Sequence, residues 1–333
     1  VKAGDNKQWS NRVAGDAGQT SYKAPMMLSL DGANIKELRT EGGQEVLIRG
    51  AEFGPSTPSS WACGDERRPV VKYGALPADK KATELDAASE LVASCCAVRG
   101  ANLVSCASGE GVGRGHSWHI TVGKQRSNVI KAAAGVGYGS PVVSMYSGPG
   151  ANDADTQGGQ TIVISGVNFG PIALPNGNAL SAIGTVTYGP GGDEYVLTAI
   201  CNVTKDHVAI TCKTTSGAGA GMNWRVSVDG QPSVQPSTAY GHPVITGISG
   251  PAALDTDGAQ VVVITGRNFA PSEKTKQSPV TGERFLHSVV YGPSGNPHYT
   301  LPTANCKVTE DSTEITCTTV PGVGSDLTWF VTV

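Results

Sequence analysis

Eight cysteines are the most reactive side chains in this sequence, and their spacing limits the chemistry they can do. Cys95 and Cys106, Cys201 and Cys212, and Cys306 and Cys317 each lie 11 residues apart. Structural zinc sites draw on cysteine pairs two to four residues apart, and the chain has none. Oxidation to cystines is therefore expected, with two adjacent strands joined by a tight turn bringing each pair within bridging distance. Cys63 and Cys96 fall outside this shared spacing. One pairing is Cys63–Cys96 with Cys95–Cys106; the other is Cys63–Cys95 with Cys96–Cys106. Neighbouring strand residues face opposite sides, and the common spacing favours Cys95–Cys106. Closing each loop of about 12 residues is worth roughly 3 kcal/mol. An even count with no thiol left over implies an oxidising compartment, so the chain is expected to be secreted or displayed on a surface.

Other stretches resemble reactive sites less well. The glycine-rich run from Gly109 through Gly111 and Gly113 to Gly115 suggests a phosphate cradle. A phosphate loop needs a following helix, and here a strand pattern follows, so a hairpin turn is the expectation. Asp153 and Asp155, and Asp255 and Asp257, offer oxygens suited to calcium, yet they lack the full loop spacing and read equally as tight turns. His116 and His119 have no third ligand, and His119 takes the outward phase of a strand, which predicts a solvated ring. No nucleophile elbow and no cysteine–histidine dyad stands apart, so neither catalytic nor cofactor-binding nor metal residues are assigned. Asn202-Val-Thr204 is the one glycosylation sequon, expected to face outward on a strand.

The scaffold for these residues is a repeat. Ile-Arg-Gly50-Ala-Glu-Phe53-Gly-Pro55 recurs as Ile-Ser-Gly166-Val-Asn-Phe169-Gly-Pro171 and as Ile-Thr-Gly266-Arg-Asn-Phe269-Ala-Pro271. A glutamine precedes each copy (Gln44, Gln160, Gln260), and Tyr73-Gly74, Tyr188-Gly189 and Tyr291-Gly292 follow. The copies close on Trp118-His-Ile-Thr-Val122, Trp224-Arg-Val-Ser-Val228 and Trp329-Phe-Val-Thr-Val333. In the second copy Trp224, Val226 and Val228 alternate with Arg225 and Ser227, the period-two pattern of a half-buried strand. With 44 glycines and 20 prolines among 333 residues, the chain is too punctuated for long helices. About seven short strands per unit of roughly 100 residues is the pattern of a β-sandwich. The one plausible helix covers residues 80–93.

Composition excludes some partners. The formal net charge is −3, so a nucleic-acid or anionic-membrane partner, which needs clustered Lys and Arg, is not expected. Apolar runs such as residues 261–264 fall far short of the roughly 18–20 residues that span a bilayer, so no membrane insertion is expected within the chain.

The succession Gln-x-Val-x-Ile-x-Gly-x-Asn-Phe, Tyr-Gly, Cys…Ile-Thr-Cys and Gly-x-Gly…Trp-x-Val-x-Val resembles the IPT/TIG domain. That is the immunoglobulin-like module of plexins, related receptors and some transcription factors. The resemblance implies an all-β chain of three tandem, disulfide-bonded immunoglobulin-like sandwiches. Repeat 1 covers residues 25–128, repeat 2 residues 141–233 and repeat 3 residues 243–333, joined by linkers 129–140 and 234–242. Repeat 1 departs from the motif at Ala51-Glu52-Phe53 and carries an insertion at about 56–88. The family brings no catalytic residues or cofactors with it. What it implies is a spacer, an adhesion surface or an assembly unit.

The connectors share a pattern of their own. Tyr138 and Tyr240 stand three residues before Pro141 and Pro243, and Tyr22 stands three before Pro25. Gln8, Gln125 and Gln231 also recur. Residues 1–24 thus resemble a connector with no domain in front, and Val333 is equivalent to Val122 and Val228. The expectation is an excerpt of a longer array, or a protomer whose ends dock onto neighbours. Ordered Tyr/Pro connectors would stiffen such an array, since an anchored tyrosine packs against its neighbour. Three roles compete: a structural unit of an extracellular filament, coat or appendage, self-associating end to end; an adhesion or receptor ectodomain binding surface proteins or glycans through the 56–88 insertion; and a non-catalytic part of a secreted polysaccharide-acting enzyme.

Overall fold

Period-two burial marks the strands that carry the repeated motifs in the computed structural model. It describes residues 21–76, 84–87, 90–131, 136–173, 183–197, 200–233, 237–272, 284–293 and 297–333. In Glu45–Ala51, Val46, Ile48 and Gly50 are buried while Glu45 and Arg49 are exposed. In Met222–Val228 the buried set is Met222, Trp224, Val226 and Val228. The sheets are antiparallel throughout, and the buried apolar residues fall into three clusters, one per repeat. The chain is all-β in class, of immunoglobulin-like sandwiches.

The third repeat shows the plan most simply. One sheet runs Val244–Ser249, Val261–Arg267, Glu314–Thr318, Cys306–Glu310, and the facing sheet runs Tyr299–Leu301, Ser288–Pro293, Leu327–Thr332. The second repeat repeats this plan and adds Gln231–Pro232 and Ser237–Thr238 to its last strand. In the first repeat one long strand, Leu91–Gly100, replaces two short ones and pairs with both Val70–Gly74 and Leu103–Ala107. It therefore joins both sheets into a seven-stranded path.

The same aromatic pair anchors each core. Tyr73 lies opposite Trp118, Tyr188 opposite Trp224 and Tyr291 opposite Trp329 in the strand register. Their rings stack with centroids 3.9, 4.4 and 4.3 Å apart. Such a cross-strand aromatic pair contributes about 0.5–1.5 kcal/mol beyond its buried area. The phenylalanine of the Gly-x-Asn-Phe motif belongs to the same buried cluster. A Cβ on Gly50, Gly166 or Gly266 would collide with the ring of Phe53, Phe169 or Phe269 and with a facing backbone carbonyl. The residue before each phenylalanine turns left-handed (Glu52 φ 62°, Asn168 63°, Asn268 59°), a conformation asparagine tolerates better than glutamate.

Three expectations are corrected here. The bridges are Cys63–Cys95 and Cys96–Cys106, not Cys63–Cys96 with Cys95–Cys106. The reason is a β-bulge. The register of Leu91–Gly100 on Leu103–Ala107 shifts between Ser94 and Ala97, so Cys95 and Cys96 both oppose Cys106. Cys95 sits at φ 52° and is exposed, which aims it at the insertion; Cys96 is buried and bridges through the core. The other two pairs, Cys201–Cys212 and Cys306–Cys317, are direct register partners. The helix expected over 80–93 is absent among its described residues, since Leu91, Val92 and Ala93 begin a strand with Leu91 and Ala93 buried; residues 80–83 and 88–89 lie outside the described set. Nor is His119 solvated. It is 5% exposed, opposite Lys72 in the register, because the outer face of this strand is itself covered.

Two measurements follow from these corrections. Non-reducing peptide mapping should recover Cys63 linked to Cys95 and Cys96 linked to Cys106, and the double change Cys201→Ala/Cys212→Ala should cost about 3 kcal/mol in denaturant unfolding. Burial, reinforced by Arg126, holds the His119 ring neutral down to about 4 against an ordinary 6.5. The unfolded chain then binds the extra proton. Stability from this group is full above pH 6.5 and falls as pH drops toward 4, by on the order of 2–3 kcal/mol. Urea midpoints at neutral and acid pH should show that slope, and His119→Gln should reduce it.

Candidate functional site

No sequence-derived reactive group gathers into a catalytic arrangement among the described residues. The 109–115 run is not a hairpin but the crossover from Leu103–Ala107 to Ser117–Val122, in the opposite sheet. His116 is buried edge-on to Tyr73 and Tyr138, with its Nε2 against the Val112 carbonyl. Asp155 forms a turn, its carboxylate accepting from the Gln157 N–H at 2.8 Å while its own N–H donates to the Gln160 side chain. Asp255 likewise donates to Gln260. Asn202 is exposed on Cys201–Lys205, with Thr204 beside Thr211. What the repeats do share is a joint.

Each connector delivers a tyrosine into the repeat that precedes it. Tyr138 is fully buried in the first repeat and Tyr240 is 5% exposed in the second. Tyr138 forms a parallel bridge with Leu38, and Tyr240 forms one with Ala154. The Leu38 N–H donates to the Gly137 carbonyl at 2.9 Å, and the Gly139 N–H returns to the Leu38 carbonyl at 2.8 Å. The backbone N–H groups of Tyr138 and Tyr240 donate to the carbonyls of Gly113 and Gly219 at 2.8 and 2.9 Å.

The phenols complete the anchor. Tyr138 Oη donates to the Gly109 carbonyl at 2.7 Å and lies 2.7 Å from Tyr73 Oη. Tyr240 Oη donates to the Thr215 carbonyl at 3.1 Å and bonds Tyr188 Oη. Burial raises all four phenols, Tyr188 to about 12, so they stay protonated and keep donating. The repeated Gly-x-Gly now has a cause. A Cβ on Gly111 would lie 2.8 Å from Tyr138 Oη, and one on Gly217 2.7 Å from Tyr240 Oη.

The same connector is held from the other side by the repeat that follows. Gln231 Nε2 donates to the Tyr138 carbonyl at 3.1 Å, and Asn168 Nδ2 donates to the Ser140 carbonyl at 3.2 Å. At the second joint Asn268 Nδ2 donates to the His242 carbonyl at 3.0 Å. A buried threonine four residues before the glutamine then crosses each interface. Thr40 Oγ1 lies 2.9 Å from His207 Nδ1, and His207 Nε2 meets Glu110 Oε1 at 2.8 Å. Thr156 Oγ1 bonds Ser312 Oγ and accepts from the Ala270 N–H at 3.3 Å. Gln157 Nε2 adds a bond to the Asp311 carbonyl at 3.0 Å.

His207 and Ser312 occupy one place, each five residues before the second cysteine of its pair and each left-handed (φ 65° and 66°). Sequence reading marked the connector tyrosines and the recurring glutamine but missed these polar contacts. Their signal was available, since Thr40, Thr156 and Thr256 stand at one register.

The third repeat carries a cleft at the equivalent place. A cleft of about 740 Å³ opens among Leu254, Tyr291, Tyr299, Val320, Gly324 and Trp329. Leu254 corresponds to Leu38 and Ala154, and Gly324 to Gly113 and Gly219. Trp118 and Trp224 are 0% and 1% exposed, whereas Trp329 is only half-buried. Tyr240→Ala should therefore cost about 3–5 kcal/mol by emptying the equivalent cleft of the second repeat, and Tyr240→Phe about 1 kcal/mol by removing the phenol's bonds to the Thr215 carbonyl and to Tyr188. Calorimetry of the two variants checks both values.

Comparison with known proteins bears on the last repeat. No curated protein matches the chain significantly. A structure solved with xylogluco-oligosaccharide is similar at 12% identity and a TM-score of 0.34, over 91% of this chain and 56% of that one. The full extracellular region of plexin A4 is similar at 16% identity and 0.27, over 100% of this chain and 24% of that one. SGBP-B from a xyloglucan utilization locus of Bacteroides uniformis gives 11% and 0.25, over 93% and 98%. The chain thus spans about half and about a quarter of the first two. All three scores are low, so assignment rests on the family model that residues 243–333 match. With its Asn268-Phe269 turn, Tyr291–Trp329 stack and Cys306–Cys317 bridge, this segment is an IPT/TIG domain.

Proposed function

We propose that this chain is a non-enzymatic extracellular structural protein, a rod of tandem immunoglobulin-like sandwiches that serves as the building block of a surface filament, coat or appendage. The observation that carries this reading is the repetition of the joint. Tyrosine, threonine and glycine positions that look like a possible site in one repeat recur at the next interface, where their bonds go to the neighbouring repeat. Residues spent on fixing an inter-domain angle serve shape rather than turnover. Four disulfides suit an oxidising exterior, and among the described residues no helix is long and apolar enough to cross a membrane.

A second reading, adhesion, draws on the first-repeat insertion. Cys63–Cys95 staples it, Arg68 donates to the carbonyls of Trp61 and Cys96, and Arg67 covers the Trp61 ring at 4.3 Å. A loop held this firmly presents a fixed surface to a protein or glycan.

Electron microscopy of native material separates the two. Regular polymers built from stiff segments on the order of 100 Å are expected, from three modules of roughly 33 Å. Isolated rods with no lateral or axial order would overturn the building-block reading in favour of adhesion.

A further inference from the structure

Asn202-Val-Thr204 is a motif that neither the joints nor the sandwich cores use. It lies within Cys201–Lys205, which among the described residues is the outermost strand of its sheet. Cys201 and Val203 are buried, so Asn202 and Thr204 stand together on the outer face, both exposed. Thr204 Oγ1 lies 2.8 Å from Thr211 Oγ1, whereas the Asn202 amide makes no hydrogen bond among the described residues.

The same place in the other two repeats is filled differently. Ala97 faces Ser105, Asn202 faces Thr211 and Lys307 faces Thr316, each directly after the first cysteine of a core bridge. Ala97 is only 5% exposed, and Cys96, Ala97 and Val98 are buried in succession. The insertion lies against this strand: the Thr57 N–H donates to the Val98 carbonyl at 2.9 Å, Thr57 Oγ1 accepts from the Val98 N–H at 2.9 Å, and Arg68 donates to the Cys96 carbonyl. Lys307 is exposed, and an outward lysine is an ordinary device by which an edge strand avoids pairing with another chain. Asn202 is exposed and neutral, and Ile200, two residues before it, is 41% exposed. The second repeat thus has neither polypeptide cover nor charge at this place. We infer that Asn202 carries an N-linked oligosaccharide, which covers the outer strand of the second repeat where the insertion covers that of the first and a lysine guards that of the third.

The acceptor is the side-chain amide of Asn202, and the donor is an oligosaccharide joined through pyrophosphate to a polyprenol. Nδ2 forms a bond to the anomeric carbon of the first sugar and gives up one proton. The bond from that carbon to the pyrophosphate oxygen breaks, its electron pair leaving with the polyprenyl pyrophosphate, and nothing is oxidised or reduced. A transferase of the secretory route performs the step on the extended chain, and the product is a bulky, hydrated surface group. Four disulfides suit passage through the same oxidising compartment. About 10 Å of strand separates Asn202 from Lys205, where the turn to His207 begins, so the glycan stands clear of the first joint.

The modification rests on the extracellular placement proposed above, and native material tests the two apart. Mass spectrometry of its peptides should find the one containing Asn202 carrying hexose and N-acetylhexosamine, and peptide N-glycosidase in heavy-oxygen water should convert Asn202 to labelled aspartate. Bridged cysteines with an unmodified Asn202 overturn the inference and leave the placement standing; reduced cysteines overturn both. The covering role has its own measurement. Asn202→Gln and Asn202→Lys both lose the sugar, and neither breaks a hydrogen bond, so their urea midpoints should agree. Asn202→Gln should form side-by-side bundles, scored by light scattering and electron microscopy, at a concentration roughly 10-fold lower than the native protein or Asn202→Lys, whose charge stands in for the glycan. Native protein trimmed by an endoglycosidase replaces Asn202→Gln if that variant is not secreted. Bundling at one common concentration for all three overturns the covering role.

Discussion

A phenol cannot be buried without a partner for its hydroxyl, and that requirement sets the geometry of this chain. The connector tyrosines enter a core where one carbonyl and one other tyrosine meet the hydroxyl. That second tyrosine is held by its stack on a tryptophan. Ring position thus fixes backbone position, and the parallel bridges to Leu38 and Ala154 translate it into the direction in which the next repeat departs. The threonine contacts to His207 and Ser312 then act on interfaces already aligned, contributing about 0.5–1.5 kcal/mol each as ordinary hydrogen bonds.

Much of this was legible in the amino-acid sequence because it repeats. Alternation in Trp224, Val226 and Val228 gives a strand whether or not its neighbours are known, and three registered copies give the sandwich. The connector tyrosines stood out for the same reason. The polar crossings did not, since His207 and Ser312 differ in type although they do one job, and only their count from the second cysteine links them. The glycine run at 109–115 was misread as a hairpin because glycine marks a lack of room as well as a tight turn. Only the packed neighbour, here Tyr138, tells the two apart.

The cysteine pairing shows the limit of spacing arguments from another side. Counting residues assumes unbroken alternation, and the first repeat breaks it at the bulge where Cys95 and Cys96 both face Cys106. One inserted residue reverses which thiol points inward. The result is useful to the fold, because Cys96 keeps the core bridge of the other repeats while Cys95 is released to tether an insertion they lack. His119 belongs with this group. Its phase in the strand was read correctly as outward, but an outer face that is covered buries what it carries.

A string of domains is ordinarily cut by proteases between its beads, where an extended segment can be drawn into an active-site groove. Residues 136–139 are buried, and their backbone groups are already committed to Leu38 and Gly113. Cleavage at these four residues would require the joint to open first, so it would proceed at the rate of that opening rather than at the rate of encounter.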